Sequence, residues 1–292
     1  MKLPNSELNL ISDLRNSVLT LVSHDAGGAN VLDAFVRNNR LITHNLNLAG
    51  PAKNIIDPNK IVKNELIEFG RKDIFLASTG WQSEFEKKQI KFALENKKRV
   101  IVFLDNWTNY SERIFYEKEV LAVEEFVTFD SFAASLANEI FNNAKVYQFP
   151  NYYIIEQSAE ILRIRETKKD YEFDYLYIGE PIRNKEYSEI DAFENFLTNA
   201  ILRAPGPIKI AIRPHPSESR EKYVSLVSRL DGFIFSVSDG TTLVQDLSRA
   251  KIVVGCNSMA LQMAHMARIQ VFCAIPEPFK SEIPFDFFED WI

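Results

Sequence analysis

The residues best suited to proton transfer in the first half of the chain follow an apolar run at residues 17–23. His24 and Asp25 come directly after this run and precede Gly27 and Gly28. Either His24 or Asp25 could act as a general base, because a protein can tune both groups to exchange protons near neutral pH. The glycines let backbone N–H groups approach a ligand, and a helix start favours negative charge there. The alternative is a plain strand-to-helix turn in which Asp25 caps the helix.

Two further groups of polar residues follow later apolar runs. Thr79 and Gly80 precede a predicted helix, where they could contact a substrate or only cap that helix. Asp105 and Trp107 follow residues 99–104 in the sequence Leu-Asp-Asn-Trp-Thr-Asn-Tyr. An acid, amides and aromatic rings together are typical of a sugar-binding surface, on which aromatic faces stack against sugar rings. The alternative is a buried Trp107 with Asp105 capping a turn.

An Arg-Pro-His-Pro run follows the apolar residues 208–212 in the second half. Each proline fixes its own φ and biases the residue before it away from helix. Arg213 and His215 are therefore predicted to project from a stiff elbow. The alternative is a rigid turn whose histidine caps a neighbouring group.

A candidate anion-binding segment follows the apolar run 251–255. Asn257 and Ser258 open a predicted helix there, which presents free N–H groups and a hydroxyl to an anion. Glu180 comes just after the run 174–178 and is a candidate substrate-binding residue by its position.

All of these residues lie just beyond the carboxyl end of a predicted strand. The predicted strands are residues 17–23, 41–46, 73–77, 99–104, 125–129, 144–148, 174–178, 208–212, 232–237, 251–255 and 270–274. The predicted helices are residues 29–37, 82–97, 131–141, 152–164, 190–202, 218–230, 242–250 and 258–267. This alternation predicts an α/β fold with two Rossmann-like, doubly wound parallel-sheet domains, 1–165 and 166–292. We expect the domains to face a cleft lined by the carboxyl ends of their strands.

The composition narrows the class of protein. The 292 residues carry a net charge of −6, which argues against a nucleic-acid partner. The polar N-terminal segment does not read as a signal peptide, and no apolar run is long enough to span a membrane, so a cytoplasmic protein is expected. Cys256 and Cys273 are expected to be reduced thiols, and four histidines without a CxxC pair predict no structural zinc. His265 is expected to be buried structure.

Two segments of the second half resemble a known family. They are Arg-Pro-His-Pro-Ser-Glu at 213–218 and Asp-Leu-Ser-Arg-Ala-Lys-Ile-Val-Val-Gly-Cys-Asn-Ser-Met-Ala-Leu at 246–261. Together they resemble the carboxy-terminal half of GT-B glycosyltransferases with an HP motif. That family includes bacterial sialyltransferases, polysialyltransferases and Kdo transferases of capsule and lipopolysaccharide assembly. The resemblance implies a GT-B-like fold and assigns His215 and Ser258 to the donor phosphate, with Arg213 and Asn257 beside them.

The resemblance also implies roles for the two halves. Residues 1–165 would form the acceptor side, and residues 166–292 would bind the nucleotide-sugar donor. Some sialyltransferases of this group have an acid-glycine motif whose acid is the base, and Asp-Ala-Gly-Gly at 25–28 loosely matches it. Asp25 is therefore the expected base of an inverting transfer, and Asp105 is the second catalytic candidate. The alternative is a retaining transfer in which a carboxylate such as Asp25 or Asp105 is the nucleophile. His24, Gly27, Gly28, Thr79, Gly80, Trp107 and Glu180 are the expected substrate contacts.

The predicted activity is a metal-independent glycosyl transfer without a cofactor. The donor is a nucleotide-sugar, with a CMP-linked ulosonic or nonulosonic acid favoured over UDP-sugars. The acceptor is a glycan or a lipid-linked glycan, which implies at most peripheral contact with a membrane. The alternatives are a nucleotide-sugar 2-epimerase or hydrolase on the same scaffold, and a non-catalytic nucleotide-sugar-binding protein.

Overall fold

The structure, a computed structural model, describes residues 3–60, 72–80, 83–168, 170–182, 186–203, 207–215, 218–228, 232–239 and 241–291. The chain divides into two compact units, Met1–Tyr153 and Ile154–Ile292. The sequence placed the boundary near residue 165, whereas the division comes at the start of the helix Tyr152–Glu166. Most of this helix therefore belongs to the second unit.

The first unit contains eight strands and five α-helices within the described residues. The strands are β1 (Val18–Ser23), β2 (Thr43–Leu48), β3 (Asp73–Ser78), β4 (Arg99–Phe103), β5 (Phe115–Tyr116), β6 (Glu119–Val120), β7 (Glu125–Thr128) and β8 (Lys145–Gln148). The helices are α1 (Asn5–Arg15), α2 (Ala26–Asn38), α3 (Phe85–Glu95), α4 (Tyr110–Arg113) and α5 (Ser131–Ile140), with 3-10 turns at Gly50–Asn54 and Pro58–Lys60. Six strands form a parallel sheet in the order β2-β1-β3-β4-β7-β8, while β5 and β6 form a separate antiparallel pair.

The central strands of this sheet form because their apolar runs are buried on both faces. Every residue of β1 is buried, as is every residue of β4 after Arg99. On one face, Phe35 of α2 makes edge-to-face contacts with Phe103 and Phe149, at ring-centroid distances of 4.9 and 5.0 Å. Such aromatic contacts add to the stabilisation from apolar burial.

The second unit has a five-stranded parallel sheet in its described residues. Its strands are β9 (Phe173–Ile178), β10 (Ile208–Arg213), β11 (Phe233–Val237), β12 (Ala250–Gly255) and β13 (Gln270–Cys273). Its helices are α6 (Tyr152–Glu166), α7 (Glu189–Arg203), α8 (Arg220–Val227), α9 (Leu243–Arg249) and α10 (Met259–Met266). The strand order is β11-β10-β9-β12-β13. Tyr177, Phe193 and Phe196 are buried in its core, and Trp291 donates a 2.7 Å hydrogen bond to the carbonyl of Cys273.

The predicted α/β class with two doubly wound parallel sheets is confirmed. The predicted strands agree with the observed ones within one or two residues, whereas α1, α4 and the β5–β6 pair were not predicted. The predicted start of one helix at Gln82 and the predicted end of another at residues 229–230 lie outside the described residues. Cys256 is a buried free thiol and Cys273 a half-buried one. Among the described helices, none has the length and apolar character needed to cross a membrane.

In each sheet, later strands lie on both sides of the first strand, so the order in which the strands were added reverses at that strand. In the first unit β1 lies between β2 and β3, and in the second unit β9 lies between β10 and β12. Open α/β sheets bind ligands outside the carboxyl ends of the strands at such points. Asp25 follows β1, and Glu180 follows β9, so these two acids occupy equivalent positions in the two units.

Candidate functional site

Asp25 lies at the first of these points, among glycines. It caps α2, and its Oδ1 accepts a 2.8 Å hydrogen bond from the Gly28 N–H. A Cβ placed on Gly27 or Gly28 would lie 3.6 or 3.4 Å from Oδ1, and one on Gly80 would collide with Oδ2. Glycine at position 80 is therefore required for the carboxylate to sit where it does.

Asp105 lies beside Asp25, two residues after the end of β4. A Cβ on Gly27 would be 2.7 Å from Asp105 Oδ2 and 3.6 Å from Asp25 Oδ1, so both carboxylates border the same backbone position. Burial raises the pKa of Asp25 to about 7, with the charges of Asp105 and Glu86 adding to the effect. The Gly28 N–H and Arg113 act in the opposite direction. A carboxyl group with this pKa can take up and release a proton near neutral pH.

Arg113 is a buried cation that the sequence analysis missed. Its residue is 1% exposed, and its side chain pairs with Asp105 at 2.6 Å. The guanidinium also donates to the Thr79 carbonyl at 2.5 Å, to Asn106 Oδ1 at 2.5 Å and to the Thr108 carbonyl at 3.0 Å. It therefore joins the segment after β3 to the segment after β4. A lone arginine in the short sequence Tyr-Ser-Glu-Arg has no local pattern that would have indicated this.

Glu86 is a second buried acidic residue that the sequence analysis missed. It is 0% exposed, and its Oε1 accepts a 3.0 Å hydrogen bond from the His24 N–H. Within the described part of the chain, Glu86 Oε2 and Thr79 Oγ1 are buried without a hydrogen-bond partner. The His24 ring lies against Gly50, whose φ is +47° and whose added Cβ would be 2.7 Å from Nε2. Glu86 thus fixes the backbone at His24.

Trp107 is held at the same edge of the first sheet. Its Nε1 donates a 2.8 Å hydrogen bond to Asp130 Oδ2, and Asp130 also caps α5 through the Ala133 N–H. The residue is half-buried, so its indole is neither a core side chain nor a freely exposed one. The expected stacking against a sugar stays a prediction.

In the second unit, Glu180 occupies the helix start that the sequence proposed for a phosphate. Its Oε1 accepts hydrogen bonds from the backbone N–H groups of Cys256, Asn257 and Ser258 at 3.0, 2.8 and 2.9 Å. Its Oε2 accepts a second bond from Asn257 N–H at 2.9 Å. Burial raises the pKa of Glu180 to about 7, although these N–H groups lower it. The three backbone N–H groups that lead into α10 therefore already bind a carboxyl group that belongs to the chain.

The side chains of Asn257 and Ser258 have structural partners as well. Ser258 caps α10 by accepting a 3.2 Å hydrogen bond from Ala260 N–H, which confirms the predicted helix start. Asn257 Oδ1 accepts hydrogen bonds from the Glu282 N–H at 2.8 Å and from the Ser281 hydroxyl at 2.9 Å. These contacts hold the C-terminal segment against the start of α10.

Arg213 is paired inside its own unit. Its Nη1 donates to Asp246 Oδ2 at 2.5 Å and to the Thr241 carbonyl at 3.0 Å. Asp246 also accepts hydrogen bonds from the hydroxyls of Ser238 and Thr241. An arginine fixed in this way presents only its remaining N–H groups to a ligand.

His215 lies two residues after the end of β10, beyond the strand as the sequence predicted, and it is half-buried. Burial lowers the pKa of its imidazole, while the charge of Glu218 raises it. A neutral imidazole can donate one hydrogen bond to a phosphate oxygen but adds no positive charge. Pro216 and Ser217, which complete the predicted elbow, lie outside the described residues.

The structure thus brings nine of the predicted site residues together in two groups. Asp25, Gly27, Gly28, Thr79, Gly80 and Asp105 meet in the first unit. Glu180, Asn257 and Ser258 meet in the second unit. In the described ranges, no three His, Cys, Asp or Glu side chains are arranged to hold a metal ion.

Comparisons with known proteins rest on structure alone. No family model matches the chain, and no curated protein matches its sequence. The UDP-GlcNAc 2-epimerase from Methanocaldococcus jannaschii, solved with UDP-GlcNAc and UDP, superposes with a TM-score of 0.58 at 11% identity, over 88% of this chain and 83% of that one. The enzyme of the same name from Rickettsia bellii has a TM-score of 0.54 at 10% identity, over 88% and 78%. The chain therefore shares the fold of these epimerases.

Proposed function

We propose that this protein is a cytoplasmic glycosyltransferase of bacterial surface-polysaccharide assembly, with Asp25 as its general base. The observation that carries the proposal is the carboxyl group of Asp25, raised to a pKa of about 7 beside Asp105 at the carboxyl end of β1. A base with this pKa is partly ionised at neutral pH, where general-base catalysis is most effective. The fold supports nucleotide-sugar chemistry only as an analogy.

The transfer step follows from the position of Asp25. The ionised carboxylate accepts the proton of an acceptor hydroxyl while that oxygen forms a bond to the anomeric carbon of the donor sugar. The bond from the anomeric carbon to the phosphate oxygen breaks, and the nucleotide leaves with the electron pair. Asp25 then carries the proton until water removes it. The capsule or lipopolysaccharide acceptor, whether free or lipid-linked, is part of this proposal.

The donor phosphate is assigned to His215, Arg213, Asn257 and Ser258. Because Glu180 holds the N–H groups at the start of α10, the proposal requires its carboxylate to leave when a phosphate binds there. Protonation of Glu180, whose pKa is about 7, makes this exchange easier, since N–H groups bind a charged acceptor more strongly than a neutral one. A CMP-linked ulosonic or nonulosonic acid is the favoured donor, on the motif similarity alone.

A nucleotide-sugar 2-epimerase is the second candidate. The epimerases with the same fold act on UDP-GlcNAc by name. Epimerisation at a carbon next to the anomeric centre also needs a group that removes and returns a proton, and Asp25 could serve for that.

The test is a product assay with CMP- and UDP-sugars, run with and without a panel of glycan acceptors. A transferase releases nucleotide only when an acceptor is present, whereas an epimerase or hydrolase changes the donor alone. Binding in a thermal-shift screen without turnover on any acceptor would support a non-catalytic binding protein and overturn the proposal. The Asp25→Asn variant serves as the control for contaminating activity.

A further inference from the structure

We infer that Arg113 is a positioning residue that gives the two carboxylates of the first unit different roles. In this arrangement Asp25 exchanges the proton, while Asp105 stays in its buried ion pair with Arg113. The inference rests on the proposed function for its catalytic meaning, but the arrangement itself can be tested without any substrate.

Arg113 and Asp105 form a buried ion pair. Their side chains are 2% and 8% exposed, and Arg113 Nη1 lies 2.6 Å from Asp105 Oδ1. A guanidinium keeps its charge in a protein interior, and a close cation favours the charged form of a carboxylate. Asp105 therefore uses one oxygen in a buried ion pair. Its other oxygen, Oδ2, faces Gly27, on the side where Asp25 lies.

Asp25, by contrast, accepts a 2.8 Å hydrogen bond from the Gly28 backbone N–H. Two carboxylates in one buried place resist double ionisation, and a proton goes to the one that is less well stabilised as an anion. The charged groups that face Asp25 are Asp105, Glu86 and Arg113, and of these the charge of Asp105 raises its pKa most. Arg113 thus acts on Asp25 in two ways, directly by lowering its pKa and indirectly through its ion pair with Asp105.

Arg113 also fixes the geometry of the two segments that it joins, the one after β3 and the one after β4. Its bond to the Thr79 carbonyl fixes the backbone next to Gly80, where a Cβ would collide with Asp25 Oδ2. Its bonds to Asn106 and to the Thr108 carbonyl fix the segment that carries Asp105. A lysine would keep the charge, but one ammonium group cannot match the planar fork that reaches all four acceptors.

This division of roles has a consequence for the reaction. In glycosyl transfer, positive charge develops on the donor sugar as the bond to the phosphate breaks. A fixed carboxylate at Asp105 can stabilise that charge, while Asp25 receives the acceptor proton. Asp105 then stabilises the developing charge and does not act as a base in place of Asp25.

The experiment follows carboxyl ¹³C resonances of aspartate-labelled protein from pH 5 to pH 9, assigned with Asp25→Asn and Asp105→Asn. In the wild type, we expect the Asp25 resonance to titrate with a midpoint near 7. In Arg113→Gln, the proton should be shared, so the resonances of both aspartates should move over the same pH range. Arg99→Gln is the matched control, because Arg99 pairs with Asp13 and Glu125 at the opposite end of β4. This control should leave the Asp25 titration unchanged.

A folded Arg113→Gln variant in which Asp25 alone still titrates near pH 7 would overturn the inference. If Arg113→Gln does not fold, Asp105→Asn decides, because removing the Asp105 charge should lower the Asp25 midpoint by about one pH unit. An unchanged midpoint in Asp105→Asn would also overturn it. Arg113→Lys should keep the Asp25 midpoint and lower kcat, a pattern that general destabilisation does not produce.

The outcomes separate this inference from the proposed function. A shared proton in Arg113→Gln together with full turnover in Asp25→Asn would support the role of Arg113 and reject Asp25 as the base. An unchanged titration in Arg113→Gln together with lost turnover in Asp25→Asn would do the reverse.

Discussion

Asp25 and Glu180 occupy the same place in the two units and reach a similar pKa in different surroundings. Each follows the first strand of its sheet, and burial is the largest cause that raises each pKa to about 7. Asp25 has one backbone N–H donor at 2.8 Å and a second acid, Asp105, as neighbour. Glu180 instead accepts hydrogen bonds from three consecutive N–H groups. The comparison shows that burial can raise the pKa of a carboxyl group to about 7 in two different hydrogen-bonding environments.

The difference lies in what surrounds each carboxylate. Around Asp25, the backbones of three glycines pack close to the carboxylate, and a side chain on Gly27, Gly28 or Gly80 would collide with Asp105, Ser78 or Asp25 itself. Around Glu180, the start of α10 takes up both carboxylate oxygens. Hydrogen-bond donors that are already used cannot also bind a ligand, so the second unit can accept a phosphate at α10 only by exchange.

The largest expected effect comes from removing the acid at the first position. Asp25→Asn should lower turnover by about two to four decades, the usual scale for loss of a general base. Asparagine still caps a helix, so the melting temperature and donor affinity should change little. Steady-state kinetics and calorimetry check this, with Asp33→Asn on the same helix as the control.

Asp105→Asn, measured in parallel, separates the two acids. Full turnover in Asp25→Asn with a loss in Asp105→Asn would move the role of base to Asp105. Full turnover in both variants would reject the first unit as the site of proton transfer.

The next effect tests whether His215 binds the donor. His215→Ala should weaken nucleotide binding by roughly 1.5–3 kcal/mol, or about one to two decades, if the imidazole donates a hydrogen bond to a charged phosphate. Calorimetry with CMP and UDP measures this change. His265→Ala is the matched control, because His265 lies on α10, where it is exposed and not buried as expected, and its ring stacks on Phe287 at a centroid distance of 4.9 Å. Equal affinity in both variants and the wild type would leave His215 as a turn residue.

A smaller effect tests the exchange at α10. Glu180→Gln removes the charge that competes with a phosphate, so CMP or UDP should bind about tenfold more tightly at pH 8. Wild-type affinity should rise as the pH falls through 7, because Glu180 then becomes neutral, and Glu180→Gln should flatten this dependence. Calorimetry at pH 6 and pH 8 measures both effects. Glu172→Gln, which changes an exposed acid paired with Arg249, is the control.

Weaker binding in Glu180→Gln at both pH values would contradict the exchange. Glu180 would then be a permanent part of the fold at the start of α10, and the donor phosphate would have to bind elsewhere.

The sequence predicted the scaffold well for a physical reason. Continuous apolar runs such as residues 99–104 can only be buried strands or helices, and their short length favours strands. The observed β4 spans Arg99–Phe103. Helix α1 was missed because its sequence is polar overall, although Leu10, Ile11 and Leu14 share one buried face. Such a short amphipathic pattern is weak in a single sequence.

The sequence predicted positions in the site but not contacts. It placed Asp25, Asp105, Glu180 and Ser258 after strands, which the structure confirms. It did not predict that Glu180 reaches α10, because that contact depends on β9 and β12 being neighbours in the sheet. It also missed Arg113, since buried arginines are rare and their partners are set by tertiary structure.

The smallest effect tests whether both raised pKa values belong to the folded protein. A carboxyl group whose folded pKa is above its unfolded value binds more protons when folded, so its contribution to the free energy of unfolding falls as the pH rises between the two values. For Glu180 this window runs from about 4.5 to about 7. The free energy of unfolding of the wild type should therefore fall, relative to Glu180→Gln, by about 1 kcal/mol between pH 6 and pH 7. Urea unfolding at several pH values measures the difference, and Asp25→Asn should show a similar one. A difference that does not change with pH would mean that the carboxylate is ionised without penalty in the folded state. The acid whose variant gives such a constant difference would then not have the raised pKa on which the comparison between Asp25 and Glu180 rests.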